Sequence, residues 1–272
     1  MKESAKESAK ESAWISAAQT DIGTVRKVNE DDYFNAPEVT LWCIADGMGG
    51  HARGDVASQT ITKALSTLTS NTADPLCVEL IVNCIEQVNQ SLVKMSDTHK
   101  SIVGSTVVVL FFESDKAHFI WAGDSRIYRL RENNIQRITR DHSQVEDMVD
   151  AGLISPEEAE NHPKANVITR AVGANDDLEL EVKTLDLKDN DQYFLCSDGL
   201  NKVMTDTEIE YALLTMPTNT ITQRLIEVAL SRKARDNVTV TVVRNEQTTN
   251  EKSNLHETLP LDDTLPLNYK HS

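Results

Sequence analysis

Short apolar segments with strand character recur along this chain in groups, and pairs of helical segments lie between the groups. Strand-like runs are found at 41–45, 105–112, 117–122, 126–130, 178–187, 192–196 and 238–243. Apolar residues recur with helical spacing at about 55–69, 76–95, 143–160, 206–214 and 220–233. Because several strands follow one another directly, this order favours antiparallel sheets over an alternating strand–helix array. We therefore predict an α+β fold with helices outside packed sheets.

These patterns occupy one stretch of the chain, which suggests a single folded domain over residues 14–245. Residues 1–13 are a low-complexity leader built from copies of Lys-Glu-Ser-Ala. Residues 246–272 lack a core pattern, and we expect them to form a flexible acidic tail.

The charge balance excludes two classes of partner. The chain has 43 acidic and 27 basic residues, for a net charge of −16; the leader is neutral and the tail carries −3, which leaves −13 in the body. A nucleic-acid binder needs a basic surface, and so does a protein held on anionic lipid, so we expect neither partner. The surplus is explained either by solubility or by a cluster of carboxylates that needs cations.

The cysteines and apolar runs indicate a cytoplasmic protein. The cysteines have neither disulfide-framework nor metal-site spacing, which favours a reducing compartment; they are Cys43, Cys77, Cys84 and Cys196. The longest apolar run, 107–112, is too short to cross a bilayer, and the N-terminus has no apolar signal core.

Four aspartates share one setting, in which a buried strand meets a loop. Asp46, Asp124 and Asp198 follow apolar runs, and Asp236 precedes one. Carboxylates held together repel one another unless they are protonated or bind a metal, and hard divalent cations prefer oxygen ligands. A two-metal hydrolytic site is one interpretation. The other is that each Asp is an ordinary turn residue, since Asp-Gly and Asp-Asn are common in turns, and the residues alone leave both open.

Eight motifs, in order along residues 14–245, resemble the metal-dependent serine/threonine protein phosphatases of type 2C in their bacterial form. They are 20–31 (Thr-Asp-Ile-Gly-Thr-Val-Arg-Lys-Val-Asn-Glu-Asp), 45–51 (Ala-Asp-Gly-Met-Gly-Gly-His), 104–106 (Gly-Ser-Thr), 122–126 (Ala-Gly-Asp-Ser-Arg), 139–143 (Thr-Arg-Asp-His-Ser), 168–173 (Ile-Thr-Arg-Ala-Val-Gly), 196–200 (Cys-Ser-Asp-Gly-Leu) and 236–239 (Asp-Asn-Val-Thr). The resemblance implies two packed antiparallel sheets flanked by helix pairs, a four-layer α-β-β-α sandwich with the metals at one sheet edge.

The resemblance also implies a ligand set for Mn²⁺ or Mg²⁺, with two core ions. Asp46, Asp198 and Asp236 would hold one ion, and Asp46 with the Gly47 carbonyl would hold the other. Glu30 and Asp31 would anchor metal-bound waters, and Asp124 together with Asp198 matches an additional, third metal site of bacterial relatives.

The implied reaction is hydrolysis of phosphoserine and phosphothreonine on proteins, opposing a Ser/Thr kinase, by a hydroxide that the two ions share. Asp46 and Arg26 would be the catalytic residues, with Arg26 as the phosphate-binding clamp. Met48 stands where eukaryotic relatives have a candidate general acid, and it cannot donate a proton. His51 and a metal-bound water are both possible substitutes, so the general acid stays unassigned.

Two further segments attract hypotheses. By resemblance, residues of about 140–172 correspond to a flap beside the cleft, and an ordinary surface insertion is the alternative. The tail carries Thr-Leu-Pro-Leu twice, at Thr258 and Thr264, which is either a solvated linker or a phosphosite doublet read by a phosphothreonine-binding module.

Competing functions are a catalytically silent member of the same fold and a phosphatase of small molecules. Retention of Asp46, Asp198 and Asp236 favours an enzyme over a silent member. We expect a monomer that acts on phosphoprotein substrates within a kinase pathway.

Overall fold

The computed structural model describes residues 14–49, 53–71, 75–160 and 162–245. Its strands are β1 (Trp14–Asp21), β2 (Asp31–Ala36), β3 (Leu41–Met48), β4 (Gly104–Ser105), β5 (Val107–Glu113), β6 (Lys116–Ala122), β7 (Arg126–Arg131), β8 (Asn134–Arg137), β9 (Glu181–Asp186), β10 (Gln192–Cys196) and β11 (Val238–Asn245). Its helices are α1 (Gly54–Asn71), α2 (Val78–His99), α3 (Gln144–Asp150), α4 (Pro156–Glu160), α5 (Asp198–Asn201), α6 (Asp206–Thr215) and α7 (Thr218–Ser231), with a 3-10 turn at Pro37–Val39.

The strands form two antiparallel sheets. The first sheet has the order β1-β11-β10-β7-β8, and the second has the order β2-β3-β5-β6-β9 with β4 paired to β3. The predicted α+β class with two packed antiparallel sheets is confirmed.

Alternation along single strands explains the layers. In β3, Leu41, Cys43 and Ala45 point to one side and pack with α1 and α2, whereas Trp42 and Ile44 point to the other side and pack between the sheets. Successive side chains of a strand face opposite ways, so a strand that is apolar on both faces must be covered twice. In β11, alternate valines pack with α6 and α7 in the same way, which completes the α-β-β-α order.

Three strands were not predicted, and all three lie at sheet edges. β1 and β8 are the two edges of the first sheet, and β2 is an edge of the second. An edge strand is covered by fewer neighbours, so its sequence needs less apolar character. The β2 sequence, Asp-Asp-Tyr-Phe-Asn-Ala, has too little of it to signal a buried strand.

The single helix predicted at 143–160 is wrong. The structure has α3 and α4, separated by a turn in which Gly152 adopts a positive φ of 67°. Pro156 begins the second helix, as Pro at a first helical position commonly does. The strand predicted at 178–187 is also shorter, because β9 covers only its central part.

The membrane and cysteine expectations can be compared with the described part of the chain. No helix there is long and apolar enough to cross a bilayer. All four cysteines are free thiols, and Cys43 and Cys196 are buried.

Candidate metal centre

Asp31 and Asp46 are direct neighbours on adjacent strands. They face each other in the register of β2 and β3. The expectation that Asp46 lies in a turn after its strand is wrong, because β3 continues through Met48. It does so because Gly47 and Met48 pair with β4. A strand position holds the Asp46 backbone more rigidly than a turn would.

The other three aspartates leave the first sheet at one end. Cys196 pairs with both Arg126 of β7 and Val240 of β11. Asp124 lies two residues before the paired part of β7, Asp198 lies two residues after Cys196, and Asp236 lies two residues before β11. The antiparallel register therefore gathers three chain segments that are far apart in sequence at a single edge.

Asp31 joins the two sheets at this edge. Its Oδ2 accepts hydrogen bonds from the Ser197 hydroxyl at 2.8 Å and from the Thr239 hydroxyl at 2.7 Å. The Ser197 hydroxyl also accepts from the Thr239 backbone N–H at 2.9 Å. Sequence reasoning missed these two hydroxyls, although each lies within three residues of a predicted ligand. They fix the orientation of Asp31 from the opposite sheet.

Asn237 fixes the loop that leads into β2. Its side chain accepts from the Glu30 N–H at 2.8 Å and donates to the carbonyls of Ile22 and Val28 at 2.9 and 3.1 Å. The position was not predicted as functional, and its signal was only its place beside Asp236. The contact places the loop with Arg26 and Glu30 next to the aspartates.

Gly47 allows a close backbone approach at the site. A Cβ atom on Gly47 would lie 2.0 Å from the Gly54 carbonyl oxygen and 2.5 Å from the Glu30 carbonyl oxygen. The Gly54 N–H donates to Glu30 Oε1 at 3.1 Å. The start of α1 is thereby held against β3 with Glu30 between them. There is no room for a side chain at position 47, so only glycine fits there.

Burial and mutual repulsion disfavour the charged forms of these aspartates. Burial, and secondarily neighbouring aspartates, raises the pKa of Asp31 and that of Asp124 to about 7. The same causes raise the pKa of Asp46 well above its usual value and also raise that of Asp198. Burial raises the pKa of Glu30 as well. Asp46 is affected by Asp31, Asp124, Asp198 and Asp236 together, so all five carboxyl groups form one electrostatic unit.

The donor chemistry fits divalent metal ions. Asp31, Asp124 and Asp198 each bury an Oδ1 atom that has no hydrogen-bond partner. Buried polar atoms are nearly always paired, so three such oxygens in one cluster call for a ligand. Oxygen-only donors with surplus negative charge match Mg²⁺ and Mn²⁺.

Two basic side chains form ion pairs with carboxylates of this cluster. Arg26 donates to Asp236 Oδ2 at 2.8 Å, and the Lys202 ammonium donates to Asp198 Oδ2. Among the residues that the structure describes, no three His, Cys, Asp or Glu side chains already converge closely enough to hold an ion. An ion held by Asp198 or Asp236 would compete with these two ion pairs for carboxylate oxygens.

Metal affinity should depend on pH in a defined direction. Because Asp31 and Asp124 have pKa values of about 7, binding of Mn²⁺ must displace protons, so the apparent affinity should rise between about pH 6 and pH 8. Calorimetric titration in buffers of different ionisation enthalpy measures the protons released. A pH-independent affinity would contradict the raised pKa values.

The same raised pKa values determine whether the stability of the metal-free protein rises or falls with pH. A carboxyl group whose folded pKa is raised ionises more readily in the unfolded chain. The unfolded state therefore binds fewer protons, and the stability that these groups contribute falls as pH rises from about 4 through about 7. Melting of chelated protein across this range, compared with melting at saturating Mn²⁺, checks the sign.

His142 supports the turn that carries Asp124, and it too was missed. Its Nδ1 accepts from the Gly123 N–H at 3.2 Å, which leaves the proton on Nε2, directed at Glu181 3.1 Å away. Its ring stacks on Trp121 at 6.1 Å between centroids. The residue is buried, and its backbone carbonyl accepts from the Thr169 N–H at 2.8 Å, so one residue joins this turn, through its ring, to the segment around α3 and α4, through its backbone.

The predicted flap segment is closed at its base by backbone contacts. Ser143 forms an isolated bridge with Ile168, and the Gln144 N–H donates to the Val167 carbonyl at 2.9 Å. Of the two candidates for the general acid, His51 lies outside the described residues, and a metal-bound water is not part of the chain, so the general acid stays unassigned. The leader at 1–13 and the tail at 246–272 lie outside the described residues as well.

The chain is similar in sequence to a known protein family and to individual members of it. The model of the family described as protein phosphatase 2C matches residues 24–239. The serine/threonine protein phosphatase PstP of Mycobacterium tuberculosis is 35% identical over 228 residues, which cover 83% of this chain and 44% of that protein. This chain thus matches less than half the length of that relative. The serine/threonine phosphatase stp of Listeria monocytogenes is 33% identical over 242 residues, covering 85% and 95% of the two chains.

Two solved structures are similar to this chain in both sequence and fold. PppA, described as a key regulatory component of T6SS in Pseudomonas aeruginosa, has 40% identity and a TM-score of 0.78, covering 86% of this chain and 98% of its own. The catalytic domain of PstP in complex with two manganese ions has 33% identity and a TM-score of 0.77, covering 85% and 97%.

Proposed function

The chain belongs to the protein phosphatase 2C family, and from this premise we propose that it hydrolyses phosphoserine and phosphothreonine on proteins with two Mn²⁺ or Mg²⁺ ions. One observation carries the proposal. Five aspartates from both sheets meet at one edge, and three of them bury an oxygen that has no partner. Such a cluster repels a phosphate dianion by itself, and only bound cations reverse the sign of the site.

We assign the ligands by matching this geometry to the family motifs. Asp46, Asp198 and Asp236 hold one ion, and Asp46 with the Gly47 carbonyl holds the other. Ser197 holds Asp31 and Asn237 holds Glu30, and in this proposal both acids would orient waters around the ions. When bound, the ions supply the nucleophilic oxygen and neutralise charge on the phosphoryl group. Asp124, with Asp198, is the candidate for an additional ion.

Arg26 is the phosphate clamp in this proposal. Its side chain is 48% exposed and lies at the rim, in contact with Asp236 at 2.8 Å and 4.0 Å from Glu30. A guanidinium offers paired donors to two phosphate oxygens. Asp236 is also a proposed metal ligand, so an ion held there would supply the positive charge that Arg26 now gives to that carboxylate, and Arg26 would be available to the substrate.

Replacing Arg26 should therefore weaken substrate binding more than turnover. We expect Arg26→Ala to raise KM for a phosphopeptide by roughly 10- to 150-fold, since a charge-assisted contact with phosphate contributes roughly 1.5–3 kcal/mol. Arg26→Lys keeps the charge and loses the fork, so it should fall between Ala and wild type. Steady-state kinetics at saturating Mn²⁺ separate KM from kcat. An unchanged KM in Arg26→Ala would remove Arg26 from the phosphate site.

The function itself is tested with phosphopeptides. Phosphate release from phosphoserine and phosphothreonine peptides should require Mn²⁺ or Mg²⁺, stop with excess chelator and return on adding metal. Activity that survives chelation would refute the metal-dependent reaction. Activity confined to small phosphoesters would favour the small-molecule alternative, and metal binding without any hydrolysis would favour a silent member.

We further propose that the substrates belong to a Ser/Thr kinase pathway in the cytoplasm, where the free cysteines stay reduced and the catalytic domain works as a monomer. The 40% identity to PppA favours a pathway that controls a secretion system. Phosphoproteomics of a deletion strain, with secreted proteins measured in parallel, tests both points. If phosphorylation of secretion components is unchanged while other phosphoproteins accumulate, the pathway is a different one.

The segment around α3 and α4 is proposed as a flap that selects substrates. It is an excursion whose two ends are joined at Ser143 and Ile168, next to the residue that positions the Asp124 turn. Shortening the turn at 151–155 should change relative rates among phosphopeptides and leave hydrolysis of a small phosphoester unchanged. Equal effects on all substrates would contradict a selective role.

The tail hypothesis concerns residues that the structure does not describe. Thr258 and Thr264 each precede Leu-Pro-Leu beside Asp262 and Asp263. We propose that they are phosphorylated and then bound by a phosphothreonine-recognising module. Peptides spanning 256–268, with and without phosphate on each threonine, test the idea in binding assays. Equal binding of both forms would refute it.

A further inference from the structure

Lys202 is a basic side chain placed inside the acidic cluster. It follows α5, four residues after Asp198, and its ammonium donates to Asp198 Oδ2. The side chain is 39% exposed, whereas that of Asp198 is 13% exposed. The ammonium thus lies at the mouth of the site and reaches inward to a candidate ligand.

The same ammonium also acts on Asp124. Asp124 is buried, its Oδ1 has no hydrogen-bond partner, and the charges of Asp198 and Asp141 destabilise its ionised form. Lys202 opposes this repulsion. Asp124 and Asp198 are the pair assigned above to an additional ion, so Lys202 supplies positive charge where that ion would bind.

An ammonium and a divalent cation compete for such a pair. The ammonium is a compact charge with three donors that can satisfy carboxylate oxygens much as an ion does. It also repels a second cation held within a few ångströms, and this repulsion is strong where water is largely excluded. Because Lys202 is tethered through a short helix, its local concentration at Asp198 is high and does not depend on metal supply.

We propose that Lys202 is a built-in cation that occupies the place of the additional metal ion, so that this chain works with two ions instead of three. The proposal rests on the two-ion centre of the proposed function. It assigns Asp124 to an ionic network with Lys202 and leaves Asp46 and Asp236 as ligands of the core ions. Asp198 serves both, with one oxygen facing Lys202 and the other unpaired and free for an ion.

Metal stoichiometry tests the proposal without measuring activity. Equilibrium dialysis and Mn²⁺ electron paramagnetic resonance at up to about 10 mM Mn²⁺, above the dissociation constants of roughly 10⁻⁴–10⁻³ M of weak oxygen-ligand sites, should count two ions per wild-type chain. Lys202→Gln, neutral and similar in length, should bind three. Lys202→Arg retains the charge and should bind two. Lys63→Gln, an exposed lysine on α1, is the matched control and should also bind two.

A second substitution makes the assignment specific. In the Lys202→Gln background, Asp124→Asn should return the count from three to two, whereas Asp124→Asn alone should leave the wild-type count at two. Circular dichroism confirms that each variant is folded. Three ions on the wild-type chain would overturn the proposal, and so would a count of two on folded Lys202→Gln. If phosphopeptides are hydrolysed with two ions but Lys202→Gln gains none, only this inference fails; if the wild-type chain binds no Mn²⁺, the proposed function fails as well.

Discussion

Asp46→Asn should reduce phosphopeptide turnover by about a thousandfold or more, because Asp46 is the residue proposed to contact both core ions. An amide is a weaker ligand than a carboxylate and carries no charge to offset the metal. The substitution is nearly isosteric, and Asp46 sits in a paired strand position, so the fold should be kept. Removing one acid from a repelling group should leave the melting temperature of chelated protein equal to or above that of wild type.

The matched control is Asp115→Asn. Asp115 lies in the β5–β6 turn with 80% of its side chain exposed, and its loss removes the same charge far from the cluster. Its turnover should equal that of wild type. If Asp46→Asn retains more than about a tenth of wild-type turnover, Asp46 is not the shared ligand. If it melts well below wild type in chelator, loss of activity would reflect misfolding instead.

Arg126→Ala should destabilise the protein by about 3–5 kcal/mol, which is the usual result of removing one partner of a buried ion pair; Arg137 Nη1, 3.8 Å from Asp141 Oδ2, compensates only part of the remaining charge. Arg126 Nε and Nη2 donate to the two Asp141 oxygens at 2.7–3.0 Å, and only 10% of the Asp141 side chain is exposed. For a domain of this size the melting temperature should fall by roughly 6–20 °C. Thermal denaturation with chelator present measures this separately from metal binding.

Two further variants test whether the lost ion pair causes the destabilisation in Arg126→Ala. Arg224→Ala removes an exposed arginine paired with Glu227 and should cost less than about 1 kcal/mol. Adding Asp141→Asn to Arg126→Ala should recover part of the loss, since no uncompensated charge remains. A double variant no more stable than the single would mean that Arg126 contributes through packing and its contact with Tyr128.

Strands that are fully buried were predicted correctly from the sequence, and three strands at the sheet edges were not. Runs such as 107–112 and 238–243 are buried on both faces because they lie in interior strands, and their richness in Val, Phe and Thr identifies them from composition. The edge strands β1, β2 and β8 have no such signal. The turn predicted at Asp46 failed for a related reason, since only the pairing of Gly47 with β4, nearly sixty residues away, continues that strand.

Asp46, Asp124, Asp198 and Asp236 could be found in sequence because each is an acid beside an apolar run, whereas Glu30, Asp31 and Gly47 were identified only through the family resemblance. The residues that hold these ligand candidates in place could not be found in sequence. Ser197 and Thr239 reach Asp31 across 166 and 208 residues, and the Glu30 N–H reaches Asn237 across 207. Hydroxyls and amides are common, and nothing in their local pattern shows which of them will meet a carboxylate after the sheets pack.

The pairing of β1 with β11 sets when in biosynthesis this centre can exist. Trp14 lies opposite Asn245 and Asp21 opposite Val238, so the two ends of the described chain close the first sheet together. During translation, β1 and the Asp31–Asp46 pair are therefore synthesised long before Asp236 and Thr239. A chain interrupted before Asp236 lacks part of the carboxylate cluster, so under the proposed function it would lack the complete set of metal ligands.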